Sequence, residues 1–146
     1  MAPNTDSFDG QILNLVNQER ANVGADPLRI NEQLDLAADL HSQDQANMDN
    51  LTHRGSDGSE IGDRIQRAGY AYSYTAENIS PVALDAETVM YGGEGFDGIT
   101  LDPGWMGSDN HRKHILNSDF EELGVGYAES ADGSPYWTLT FGDPIV

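Results

Sequence analysis

The chain has no cysteine, a single lysine (Lys113) and no long apolar run. Without cysteine there are no disulfides, no thiolate nucleophile and no cysteine-ligated zinc. Stability must then come from a packed core, which 146 residues suffice to build as one domain. No stretch reaches the roughly 18 consecutive apolar residues of a membrane-spanning helix. The opening residues, MAPNTDSFDGQ, lack the basic and apolar regions of an intact signal peptide. Residues 1–10 read as an extension ahead of the domain.

Positive charge is equally scarce. Seven basic residues face 25 acidic ones, sixteen of them Asp, for a formal net charge of −18. A nucleic-acid partner requires a basic face, and anionic membrane surfaces repel such a chain, so both are excluded. Two readings account for the acid excess: adaptation to high salt, which is favoured, and an acidic extracellular protein of ordinary salinity. At about 1 M salt the Debye length falls to roughly 3 Å, and like charges barely repel.

Apolar spacing predicts a first helix over Gln11 to Val23, with Ile12, Leu15, Val16 and the Glu19 stem on one face, Asp9 as N-cap and Gly24 past its end. A longer helix is expected from Glu32 to Met48, capped by Asn31. Ser59 is the expected cap of a short helix through Ile61, Ile65 and Ala68 that ends at Gly69. TAENIS reads as extended, Leu84 to Met90 as a short helix, and Tyr91 to Gly104 as a loop. Trp105 to Leu116 reads as helical near its end. Leu123 to Glu129 and Tyr136 to Phe141 form an expected antiparallel hairpin turned by ADGS. Helices first and strands late argue α+β.

Four histidines, His41, His53, His111 and His114, carry most of the metal-binding and acid–base potential. Their spacing alone makes no metal motif. His41 and His114 read as packing residues, and Arg64 as the partner of a neighbouring acid. Trp105, Trp137, Tyr136 and Phe141 read as core aromatics. Asp97-Gly98 and Asp132-Gly133 read as turns, because no calcium-loop series accompanies them.

The segments LTHRGSDGSEIGDRIQRAGY, TAENIS, GWMGSDNHRKHIL, FEELGVGYA and PYWTLTFGDP follow one another in order. Together they resemble the cysteine-free prokaryotic branch of the CAP superfamily (cysteine-rich secretory proteins, antigen 5 and pathogenesis-related proteins), over about Ile12 to Pro144. The resemblance implies an α-β-α sandwich with a central, mostly antiparallel sheet. It also implies a cleft built on a tetrad of two His and two Glu. His53 matches the first His, Glu77 the first Glu and His111 the second His. The remaining Glu has no counterpart: its position, three residues after Trp105, is Ser108. Ala76 replaces the usual Gly before Glu77, and Glu87 or Glu94 is a candidate substitute carboxylate.

Two neutral imidazoles, His53 and His111, suit a divalent cation, zinc before magnesium or calcium. Glu77 then orients one ring or holds a water, and Ser108 completes the ligand-binding set. The reading favoured is a non-enzymatic module, secreted or at the cell surface, whose partner is a small ligand or a cell-surface component. Two alternatives stand beside it. One is a metal-dependent hydrolase of peptides or cell-envelope material, and the other an acidic interaction domain with a vestigial cleft. A hydrogen-bonded bracing network is the purely structural reading of the same three residues.

Overall fold

In the computed structural model, which describes residues 7–145, short polar side chains set the helix starts. Helix α1 (Phe8–Asn22) is capped by Ser7, whose Oγ accepts from the Gly10 amide at 3.2 Å. Asp9 is therefore not the cap. It sits in the first turn of the helix, which begins at Phe8. After strand β1 (Arg29–Ile30), helix α2 (Glu32–Met48) starts at Asn31 as expected, with Asn31 Oδ1 accepting from the Gln33 and Leu34 amides. Helix α3 (Ile61–Arg67) is capped by Glu60 through a reciprocal box with Asp63, not by Ser59. Serine is the better cap by local preference, and the reciprocal bonds with Asp63 give the position to Glu60.

Strand β2 (Tyr72–Pro81) contains TAENIS, and Asp85 caps the short helix α4 (Ala86–Tyr91). The glycine-rich stretch that follows is not a plain loop. It folds into a ribbon of β3 (Gly93–Glu94) and β4 (Thr100–Leu101). A 3-10 turn at Trp105–Gly107 leads into α5 (Asp109–Leu116), and the hairpin β5 (Glu122–Glu129) and β6 (Pro135–Pro144) completes the fold. The main sheet has the order β1-β5-β6-β2, parallel at β1–β5 and antiparallel elsewhere, with β2 on an edge.

Both faces of this sheet are covered. On one, Leu123, Val125, Trp137, Leu139 and Phe141 pack with Ile12 and Val16 of α1, Met90, Trp105 and Ile115. Burying such side chains contributes about 1.5–3 kcal/mol each. The other face lies under α2. A Cβ on Gly124 or Gly126 would come within 2.2 Å of the backbone of Leu34 or Ala38, so the two glycines let the helix settle directly on β5. Thr138 and Thr140, the polar half of the alternation in β6, are fully buried there. Thr138 bonds Ser42 Oγ at 2.8 Å, and Thr140 donates to the Leu34 carbonyl at 3.0 Å.

Near the seam of α1 and α2, Asp9, Asp35 and Asp39 interact. Burial first, then a hydrogen bond and charge from Asp35, push the Asp9 carboxyl up to about 8, and burial with Asp35 pushes Asp39 up to about 6. A carboxyl raised on folding is proton-rich in the native state. Its stabilising contribution is complete below the unfolded value and is lost as pH rises through the folded one. Asp9→Asn should thus leave stability unchanged near pH 4 and raise it above pH 8. The gain is about 1–2 kcal/mol once solvent screening is discounted. Urea denaturation at both pH values checks this; a gain at pH 4 equal to that at pH 8.5 would refute the assignment.

Candidate functional site

The site forms along edge strand β2, where the loop after α2, helix α3 and the start of α5 come together. Glu77 is buried in the middle of β2, paired in register with Thr140. Its Oε1 accepts from His53 Nδ1 at 2.9 Å, and its Oε2 accepts from Arg64 Nη2 at 2.7 Å. Arg64 also donates from Nη1 to the Ser59 carbonyl at 2.8 Å, which ties α3 to the loop before it. A buried carboxylate needs such a partner, since the desolvation of a lone charge is costly.

His41 belongs to the same group. It is 1% exposed, its Nε2 lies 2.7 Å from the Thr52 carbonyl, and it sits 3.7 Å from Glu77 Oε1. A carbonyl only accepts, so Nε2 carries the proton and Nδ1 is bare. Burial outweighs the pull of Glu77 and lowers the His41 pKa, which keeps the ring neutral. The expectation that His41 serves packing alone is thus incomplete. Its place on the buried face of α2 was legible, but its proximity to Glu77 was not. Arg64 does pair with an acid, and that acid is the central carboxylate of the site.

The proton on His53 Nδ1 points at Glu77, so Nε2 is the free nitrogen, and the side chain is 57% exposed. His111 lies in the first half of α5, and its carbonyl accepts from Asn78 Nδ2 at 3.1 Å, which seats that helix against β2 one residue beyond Glu77. Burial, and then the nearby His53 charge, lower the His111 pKa. The two imidazoles are therefore within electrostatic reach of each other. His114 feels both rings but packs against the stacked pair Phe120 and Phe141, in keeping with a packing role.

Ser108 stands at the cap position of α5, half-buried, and its side chain makes no capping bond. Glu87 lines a separate cavity with Gln11 and Leu15 of α1, and Glu94 lies exposed in the ribbon. No hydrogen bond joins either to His53, Glu77 or His111. Among the described residues, no three His, Asp or Glu side chains are arranged to hold a metal ion.

A mixed four-stranded sheet with helices on both faces is the architecture of a CAP-type domain. The comparisons agree: residues 13–141 match the model of the cysteine-rich secretory protein family, CAP, and the chain belongs to that family. It is 32% identical to the uncharacterized protein YkwD of Bacillus subtilis over 135 residues, covering 92% of this chain and 47% of that protein. It thus spans about half of that relative's length. An extracellular SCP-domain protein of Bacillus anthracis superposes with a TM-score of 0.69 at 27% identity, over 97% of this chain and 44% of that one. An outer surface protein of Borrelia burgdorferi shares the fold, with a TM-score of 0.78 at 16% identity over 99% of this chain and 98% of that one. Among the described residues, no helix is long and apolar enough to cross a membrane.

Proposed function

We propose that this CAP domain is a non-enzymatic binding module working outside the cytoplasm, in a salt-rich medium. Its cleft offers His53 Nε2 and the His111 imidazole to a divalent cation such as Zn²⁺, or to a small polar ligand. The observation that carries the reading is the 2.9 Å bond from His53 Nδ1 to Glu77, which engages one nitrogen of a half-exposed ring and leaves the opposite one for a ligand. This is the carboxylate–histidine arrangement that orients and enriches a metal-binding imidazole. An extracytoplasmic setting is supported by the relatives described as extracellular or as an outer surface protein.

Hydrolysis with Glu77 as general base is disfavoured. Arg64 and His53 each hold one of its oxygens and the side chain is only 2% exposed, so little of the carboxylate is open to a reacting water.

Two-imidazole sites bind more weakly than full cages, and protonation competes with the metal. Zinc uptake measured by calorimetry should drop at least about tenfold in His53→Ala and in His111→Ala, a loss of about 1.4 kcal/mol. Because the His111 pKa is lowered, uptake should persist somewhat below pH 6.5, the ordinary imidazole value. Undiminished uptake by both folded variants would remove the cleft from consideration as a metal site.

A further inference from the structure

The two sides of the main sheet are finished differently. On one side the short β1 pairs only with Glu122 and Leu123 of β5. Just beyond it α2 takes over, and the Val125 amide donates to Asp35 Oδ1 at 2.8 Å. Covering of this kind blunts an edge that would otherwise pair with another chain. The opposite edge, β2, is treated so only at Ile79, whose carbonyl accepts from Trp105 Nε1 at 3.1 Å.

The phase of the ladder fixes which groups of β2 face outward. In an antiparallel pair, residues bonded to the partner strand alternate with residues whose N–H and C=O both turn away. Val125 turns away from β6, so its partner Leu139 faces β2 and bonds Asn78. Glu77 therefore faces outward, and so does Thr75. Gly142 agrees: its carbonyl accepts from the Glu121 amide at 3.0 Å, on the β5 side, away from its register partner Thr75. Among the described residues, no hydrogen bond reaches the main-chain N–H or C=O of Thr75 or Glu77. Water reaches this stretch. Thr75 is half-buried, and Glu77 is 7% exposed as a residue against 2% for its side chain, so its open area is mostly main chain.

The stretch lies inside the cleft. Successive strand residues point to opposite faces. Glu77 takes His53 and Arg64 on one, and Asn78 takes the His111 carbonyl on the other. The open edge thus runs between the loop that carries His53 and the helix that carries His111.

Unpaired N–H and C=O groups at strand spacing are matched by another extended backbone, which is how peptides join exposed sheet edges. Charge selects the segment. Asp143 stands opposite Tyr74 on β6, Glu60 and Asp63 open α3, and the chain carries a net charge of −18. An acidic segment is repelled and a basic one attracted.

We propose that the edge of β2 at Thr75 and Glu77 pairs with a short, extended, basic peptide segment of a partner protein, which joins the sheet as a further strand. The inference rests on the strand edge and not on the cation reading of the cleft. Failure of zinc uptake leaves it standing, and failure of peptide binding leaves the cation reading standing.

The test uses the full chain and the capped peptide Lys-Thr-Val-Thr-Lys. Its counterparts are the same peptide methylated along its backbone amides and one with Glu in place of Lys. Amide hydrogen exchange is followed by NMR. The Thr75 and Glu77 amides should exchange quickly in the free protein and be protected, saturably, by the basic peptide. The methylated and the acidic peptides should each bind at least about tenfold more weakly. Thr75→Pro removes one outward donor, which an edge strand tolerates when its N–H faces solvent. That variant should fold and bind the peptide at least about tenfold more weakly, while Thr75→Ala should bind it like the parent. Equal binding of the methylated peptide, or unprotected Thr75 and Glu77 amides at saturation, would overturn the proposal. A Thr75→Pro variant that fails to fold where Thr75→Ala folds would also do so, by showing that the amide is already held within the sheet.

Discussion

Glu77→Ala should destabilise the domain by about 3–5 kcal/mol, the cost of breaking a buried ion pair from one side. Arg64 would then hold an uncompensated charge with its Nη2 donor empty, and His41 would lose the carboxylate 3.7 Å away. The magnitude is a large share of the roughly 5–15 kcal/mol that keeps such a domain folded. Urea denaturation should show a lower midpoint at unchanged slope. The informative companion is Glu77→Leu with Arg64→Met. Removing both charges together and filling the space should recover most of the loss, since an apolar replacement of a buried pair is often neutral. A single Glu77→Ala variant as stable as the parent would mean that water reaches this carboxylate freely. The clamp on His53 would then have no basis.

Arg20→Met should cost a similar amount, about 3–5 kcal/mol, for a different reason. Arg20 is fully buried and faces carbonyls rather than a carboxylate. Its Nε donates to the Asp26 carbonyl at 2.7 Å, and Nη1 to those of Ile115 and Asn117 at 2.9 and 2.8 Å. Nη2 reaches the Phe120 carbonyl at 3.4 Å. The guanidinium thus ties the end of α1 to the end of α5 and to the turn that enters β5. Methionine keeps the apolar stem and leaves those carbonyls dry. Lysine restores a charge without the planar fork, so Arg20→Lys should recover less than half. The effect extends to the site, because α5 also carries His111. Amide hydrogen exchange in α5 should quicken in Arg20→Met before the sheet does. Unchanged protection of α5 would show that the helix is held by its apolar contacts alone.

These two expectations concern residues whose weight was hard to read in one dimension. Arg20 occupies the last turn of a helix, where a basic residue ordinarily serves the helix dipole at the surface. Nothing in its helical position signals burial, and two other arginines, Arg29 and Arg54, stay exposed. Likewise Thr138 and Thr140 alternate with Trp137, Leu139 and Phe141 in the pattern of a half-solvated strand. Their burial follows from α2 lying on the second face, a fact of packing rather than of period. His41 shows the same gap: its helix face was readable, but its approach to Glu77 depends on how α2 sits against β2.

Much else was written locally. The spacing of apolar residues and the Asn31 cap mark out α2 almost to the residue, and alternating aromatics with a polar turn mark out the terminal hairpin. These features depend on neighbours within a few positions, and short-range geometry enforces them in any fold. The order of the motifs sufficed to name the family and to nominate His53, Glu77 and His111. What three-dimensional packing alone decided is the state of those groups: Arg64 and His53 share one carboxylate, and Asn78 donates to the His111 carbonyl and seats α5 against β2. Hydrogen-bond partners and desolvation depend on distance through space, and residues 24 or 13 positions apart in the chain acquire that distance only when the layers close.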